Sequence, residues 1–182
     1  MSEREKIVTL LNQAADRHGV DRRYVQAIAH IESRHRQFTN DGNILTSRVG
    51  AMGVMQLMPT TAQGLGVNPR NLEGNIEGGV RYFRQRIDLA GGDIPTAIAM
   101  YYAGIGNVQR RGALQWAGVQ RYIHNFQNLI NSESILSKAS SNIHSETMIP
   151  TIESAPAVQT SHFDISIFVI VFVLIVIFFL IG

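Results

Sequence analysis

The chain has 182 residues, 45% of them hydrophobic and 16% charged, and no cysteine. This length suits one domain of ordinary size plus an appendage, and the missing cysteines exclude disulfides and any cysteine-based metal or nucleophile chemistry. Charge is uneven: residues 1–131 carry 15 Lys/Arg against 10 Asp/Glu (+5), and residues 132–182 carry 1 against 4 (−3), giving the net +2. A basic domain is drawn to anionic polymers. Its arginines are nevertheless scattered singly or in pairs with no accompanying nucleic-acid motif, so no nucleic-acid partner is expected. The charged start Met1-Ser2-Glu3-Arg4-Glu5-Lys6 has no apolar stretch of the kind a cleaved secretory signal uses.

Residues 3–18 put Ile7, Leu10, Leu11 and Ala14 on one helical face, with Gly19 placed as a C-cap. Asp21 is positioned to cap a second helix whose apolar stripe is Val25, Ile28 and Ala29. Residues 40–58 are rich in Gly, Asn and Ser and read as loop with at most a small β hairpin; Pro59 then opens a short helix to about residue 65. Asn75 is the expected cap of a longer helix with Ile76, Val80, Phe83 and Ile87 inward, stopped by Gly91-Gly92. An Ala-rich helix is expected from Pro95 to Gly104, and a last one carries Val119, Tyr122, Ile123, Phe126 and Ile130 at i, i+3, i+4 spacing. The fold class is therefore mainly α, over a domain spanning residues 1–131.

Residues 132–162 are Ser-rich with few large apolar side chains and read as a flexible tether, with a coil span of about 30 Å and a stretched reach of about 100 Å. Residues 163–182 are the expected C-terminal transmembrane helix. From Ile165 onward they carry no charge, and 18 helical residues rise about 27 Å, enough for a bilayer core. The nearest Lys or Arg, Lys138, lies too far away to set an orientation.

Glu32 follows the apolar stripe of the second helix, so the helix turns its carboxyl inward. Desolvation raises the pKa of a buried glutamate and keeps the acid protonated near neutrality, as a general acid requires. The competing reading is an ion pair with Arg36, one turn on. Acid–base chemistry often pairs two carboxylates, and no second one stands out: Asp41 lies in the polar loop and could be placed near Glu32, while Glu73, Glu77, Asp88 and Asp93 fall at caps or on solvated faces. His30 and His35 flank Glu32 at a spacing of five, unlike two histidines one helical turn apart. They are expected on different faces, and neither a metal nor any other cofactor is assigned.

Three blocks occur in order: Ile31-Glu32-Ser33, Gly50-Ala51-Met52-Gly53-Val54-Met55-Gln56-Leu57-Met58-Pro59, and Ala99-Met100-Tyr101-Tyr102-Ala103-Gly104, with Asn75-Ile76 and Gly79 between the last two. Together they closely resemble the signature of the soluble-lytic-transglycosylase (SLT) family, over roughly residues 5 to 130. The resemblance implies a lysozyme-like, goose-type fold and a partner in the glycan strands of peptidoglycan. It implies a single Glu that is first acid and then base, giving a 1,6-anhydromuramoyl product with help from the 2-acetamido group. It also implies that Ser33 hydrogen-bonds near the catalytic carboxyl, although a helix serine can equally bond back to its own turn. Met52 and Gln56 would line the groove, whereas Met55, Leu57 and Met58 are expected in the core. Tyr101 would bring its hydroxyl to Glu32 or to the acetamido group. Tyr102 departs from the family pattern, which has Asn there, and its ring offers stacking instead. Tyr122 matches a cleft tyrosine, with a core role as the alternative.

Three other readings compete with a membrane-anchored transglycosylase: a hydrolytic muramidase on the same fold, a non-catalytic wall-binding protein, and a wall-remodelling enzyme of a conjugation or secretion apparatus. An extracytoplasmic substrate, a C-terminal anchor and no leader fit a phage virion protein, placed in an internal virion membrane, that opens the wall during genome entry. The alternative location is the bacterial inner membrane, facing the periplasm.

Overall fold

The computed structural model describes residues 1–132, which belong to one compact unit. Among them are seven α-helices and one 3-10 turn: α1 (Glu3–His18), α2 (Arg22–Ser33), α3 (Pro59–Leu65), α4 (Leu72–Leu89), α5 (Ile94–Ala103), α6 (Ile105–Arg111), the turn Ala113–Gln115, and α7 (Ala117–Asn131). The tether and membrane helix expected beyond residue 132 lie outside the described residues. No helix among the described ones is long and apolar enough to cross a membrane.

The helix ends follow local chemistry. Ser2 and Glu5 form a reciprocal capping box on α1, and Gly19 ends that helix at φ 61°. Asp21 caps α2 and Asp93 caps α5, so α5 begins one residue before the expected Pro95. The cap of α4 is Asn71, not Asn75, and its Oδ1 accepts from the Gly74 amide. Asn75 lies a turn inside α4 and is fully buried, because its amide is engaged elsewhere. Gly104 (φ 83°) separates α5 from α6, a short helix that composition alone did not mark.

α1 packs on α2 and α4, α4 on α5, and α7 on both α2 and α5. Ile7, Leu11, Val25, Ile28, Val80, Phe83 and Ile98, none exposed, fill the space between them with Phe126. Residues 34–58 contain no strand, only the isolated bridges Phe38–Ile44, Thr46–Met52 and Met52–Leu57, in keeping with the expected loop.

Two buried amides give this loop its shape. Gln37 accepts from the Val54 amide (2.9 Å) and donates to the carbonyls of Pro69 and Arg70. Asn75 accepts from the Met55 amide (2.8 Å) and donates to Met52 O and Pro69 O. Buried backbone groups without such partners are costly, so these side chains replace the ladder that a strand would supply. Gly53 shows how tight the clamp is: a Cβ there would lie 2.4 Å from Gln37 Oε1 and 2.5 Å from Asn75 Nδ2, at φ 73°. The turn thus closes on the protein's own amides. Met55 and Leu57 are core as expected, but Met58 is 39% exposed, because it caps α3 and only the chain before it enters the interior.

Candidate active site

The α2 stripe places Glu32 as its sequence position predicts. Val25, Ile28 and Ala29 are fully buried, and Glu32, one turn on, is half-buried. Burial pushes its carboxyl from the ordinary 4.5 up to about 7, against the opposing effect of one hydrogen bond from Tyr122. The competing pair with Arg36 does not form: the Arg36 guanidinium donates to Ser33 O, and among the described residues Glu32 has no ion pair.

Tyr122, on α7, donates its hydroxyl to Glu32 Oε1 at 2.6 Å, across ninety residues of sequence. Tyr122 is thus both a buried core residue and a hydrogen-bond partner of Glu32. Burial, followed by the neighbouring Glu32 charge, holds the Tyr122 phenol well above its usual pKa, so it stays a donor whether Glu32 is charged or neutral. The ring of Tyr102, 50% exposed, stacks on Tyr122 at 4.7 Å and 29°. Where the family pattern has an amide, this chain has a ring braced against the tyrosine that holds Glu32.

Tyr101 does not place its hydroxyl on Glu32. It donates to the Met55 carbonyl at 2.7 Å, and its ring packs edge-on against Tyr82 and Phe83. The reason is geometric: the clamp that fixes the Met55 amide on Asn75 leaves the carbonyl of the same residue toward α5, and Tyr101 satisfies it. Gln56 adopts φ 46° and donates to Gly53 O at 2.9 Å, which leaves its Oε1 as an acceptor with no partner among the described residues. Met52 is half-buried, and its backbone bonds with Leu57 and Asn75. Neither Met52 nor Gln56 hydrogen-bonds to Glu32.

Ser33 bonds locally. Its hydroxyl donates to Ala29 O (3.0 Å) and accepts from Arg36 N (3.1 Å), so it caps the turn instead of reaching the carboxyl. Beyond it Arg34 and His35 both take left-handed φ (56° and 60°) and double the chain back. That reversal brings the His35 ring to 5.7 Å from His30, where different faces were expected, and His35 Nε2 meets Gln26 Oε1. A helix-face argument fails here because the helix ends between the two histidines. The other carboxylates are occupied elsewhere: Glu73 with Lys6, Glu77 with Arg17 and His18, Asp88 with Arg84, and Asp93 at its cap, while Asp41 is exposed. No cluster of three metal-ligating side chains occurs among the described residues.

The arrangement is one desolvated carboxyl near neutral pKa, held by a phenol. Such a group can donate a proton and take one back at neutral pH. Sequence reasoning missed Gln37, since nothing in a lone glutamine among loop residues announces burial. It noticed Asn75 but read it as a cap.

The transglycosylase SLT domain model matches residues 9–121. The chain is 39% identical over 95 residues to a transglycosylase of Enterobacteria phage PRD1, covering 52% of this chain and 33% of that protein. It is 36% identical over 111 residues to membrane-bound lytic murein transglycosylase F of Desulfosudis oleivorans, covering 55% and 22%. It therefore spans a third or less of the length of these relatives. Its fold is similar to the 70 kDa soluble lytic transglycosylase of Escherichia coli (TM-score 0.58, 24% identity, 67% of this chain and 23% of that one). A similar likeness holds to an inactive glutamate-to-glutamine mutant of lytic transglycosylase Slt from Pseudomonas aeruginosa (TM-score 0.57, 23% identity, 67% and 23%). With its family model matched over more than half its length, on the lysozyme-like helical fold just described, this chain belongs to the transglycosylase SLT domain family.

Proposed function

We propose that this chain is a peptidoglycan lytic transglycosylase in which Glu32 is the sole acid and base. The observation that carries this is the Glu32 carboxyl itself, poised at about 7 by burial and held by Tyr122, with every other carboxylate among the described residues exposed or engaged elsewhere. Protonated Glu32 donates to the oxygen linking N-acetylmuramic acid to N-acetylglucosamine, and the C1–O bond breaks with its electron pair going to the leaving sugar. The 2-acetamido oxygen supports C1 as positive charge develops. Glu32, now a carboxylate, accepts the C6 hydroxyl proton as O6 bonds to C1. The 1,6-anhydro ring closes, Glu32 is protonated again, and no water is consumed. Ser33 and Tyr101 serve by holding the turn and the Met55 carbonyl, while Met52, Gln56 and Tyr102 offer surface to the strand. Mass spectrometry of digested peptidoglycan tests the chemistry: 1,6-anhydromuramoyl ends are expected, and reducing-end muramic acid as the only product would make the enzyme a hydrolytic muramidase.

The proposed setting is a virion, with the enzyme anchored by residues 163–182 and opening the wall locally during genome entry. The uncharged run from Ile165 and the likeness to a phage transglycosylase support it. Detection of the chain in the membrane fraction of purified virions is expected; its absence from virions would favour a cellular wall-remodelling role.

A further inference from the structure

A cleft of about 530 Å³ opens where α5 meets α6, lined by Ala103, Gly104, Gly106, Asn107, Arg110 and Arg111. It begins one residue beyond Tyr102, so it adjoins the Tyr102–Tyr122–Glu32 stack in sequence, yet none of its residues belongs to that stack. Its size is that of a small-ligand site. The Arg110 guanidinium lies over Gly106, 2.6 Å from where a Cβ would stand. The Asn107 amide is spent on Ala103 O.

The exposed arginines of the domain fall into two groups, those that face a carboxylate and those, such as Arg48, Arg70 and Arg121, that have no ion pair among the described residues. Arg17, Arg22, Arg23 and Arg84 each face a carboxylate, in pairs with Glu77, Asp16, Asp21 and Asp88. Arg110 and Arg111, consecutive in sequence and exposed, belong to the second group, with no ion pair or hydrogen bond to their guanidiniums among the described residues, and they differ from the others in lining one cleft together. Nor can a near neighbour in sequence neutralise them, because no acidic residue occurs between Asp93 and Glu133, where Arg121 adds a third positive charge. Two cations lining one cleft with no counter-charge of their own favour an anion supplied from outside. Planar guanidinium forks suit a carboxylate, which they can grip with two parallel N–H···O bonds.

We infer that this cleft binds the carboxylates of the peptides that hang from the glycan strand, and so sets the register in which the strand meets Glu32. The inference rests on the peptidoglycan reading above. The peptide leaves from the muramic acid whose C1 would react, and two or three extended residues reach on the order of 10 Å, which brings a carboxylate out beside the glycan groove. The contact would act on binding and not on the proton transfers.

The test uses the Glu32→Gln chain in detergent, which would bind without cutting, co-sedimented with insoluble sacculi stripped of phosphate-bearing polymers. Binding is compared on native sacculi and on sacculi whose carboxylates have been amidated with carbodiimide and ammonia, with and without Arg110→Gln/Arg111→Gln. For the parent, amidation should weaken binding about three- to tenfold at low salt, the scale of exposed but charge-assisted contacts. The double variant should bind both kinds of sacculi as weakly as the parent binds amidated ones. Arg110→Lys/Arg111→Lys, which keeps charge but loses the forks, should fall between them. A parent indifferent to amidation, or a double variant of unchanged circular dichroism that keeps the full difference, would overturn the inference. Cleavage by the Glu32-intact chain is scored separately: its absence would overturn the transglycosylase reading while sedimentation still judges the cleft.

Discussion

Glu32→Gln removes the proposed acid and base and also removes a carboxyl that the fold holds in an unfavourable place. With a pKa of about 7 in the folded chain against an ordinary 4.5, Glu32 keeps its proton between those values while the unfolded chain loses its own. The unfolded state then binds fewer protons, so stability falls as pH rises from about 4.5 to about 7 and levels off above that. That gap, at about 1.4 kcal/mol per tenfold, amounts to about 3 kcal/mol, an upper bound for a half-buried group. Glutamine has no proton to lose. The variant should therefore match wild type near pH 4 and exceed it by about 2–3 kcal/mol at pH 8, while cleavage falls by about a hundred- to ten-thousand-fold. Urea unfolding followed by circular dichroism at the two pH values, with product analysis alongside, reads both effects. A stability difference that is the same at pH 4 and pH 8 would refute the desolvated carboxyl. Retained activity in a folded variant would refute its catalytic assignment.

Tyr122→Phe removes a hydrogen bond that holds the Glu32 pKa down, so the limb of the pH–rate profile set by Glu32 should move to higher pH, with kcat falling about tenfold; an unmoved limb would count against the contact. Asn75→Ala strands the buried Met55 amide and frees Met52 O, and should cost about 2–4 kcal/mol, seen as a lowered Tm. Tyr102→Ala loses a stacked pair worth about 0.5–1.5 kcal/mol and should lower Tm by a few degrees without moving the Glu32 limb as Tyr122→Phe does. A chain ended after residue 132 should keep its helical circular dichroism and cleave peptidoglycan in free solution, since its core closes within the described residues, whereas the full chain should resist alkaline extraction from vesicles.

Local chemistry in the sequence determined the helices and the inward turn of Glu32. The periodic apolar positions of α1, α2 and α7, the caps at Asp21 and Gly19, and the stripe that turns Glu32 inward all act within a few residues, where spacing converts directly into geometry. Contacts between distant segments were decided only by the tertiary structure. Tyr101 and Tyr122 are both tyrosines on helices near the site, and nothing in their neighbourhoods says which reaches Glu32; the packing of α7 on α2 gives that place to Tyr122, and the clamped Met55 carbonyl takes Tyr101. Asn75 has the chemistry of a cap and the location of one, but a loop twenty residues upstream needed its amide more than α4 did. Gln37 and the cleft at Arg110 and Arg111 were equally hidden, because burial and the absence of a counter-charge are properties of the folded surroundings and not of the residue. A side chain's periodicity is written in its own segment. Its hydrogen-bond partner is written in another, and only the fold brings the two together.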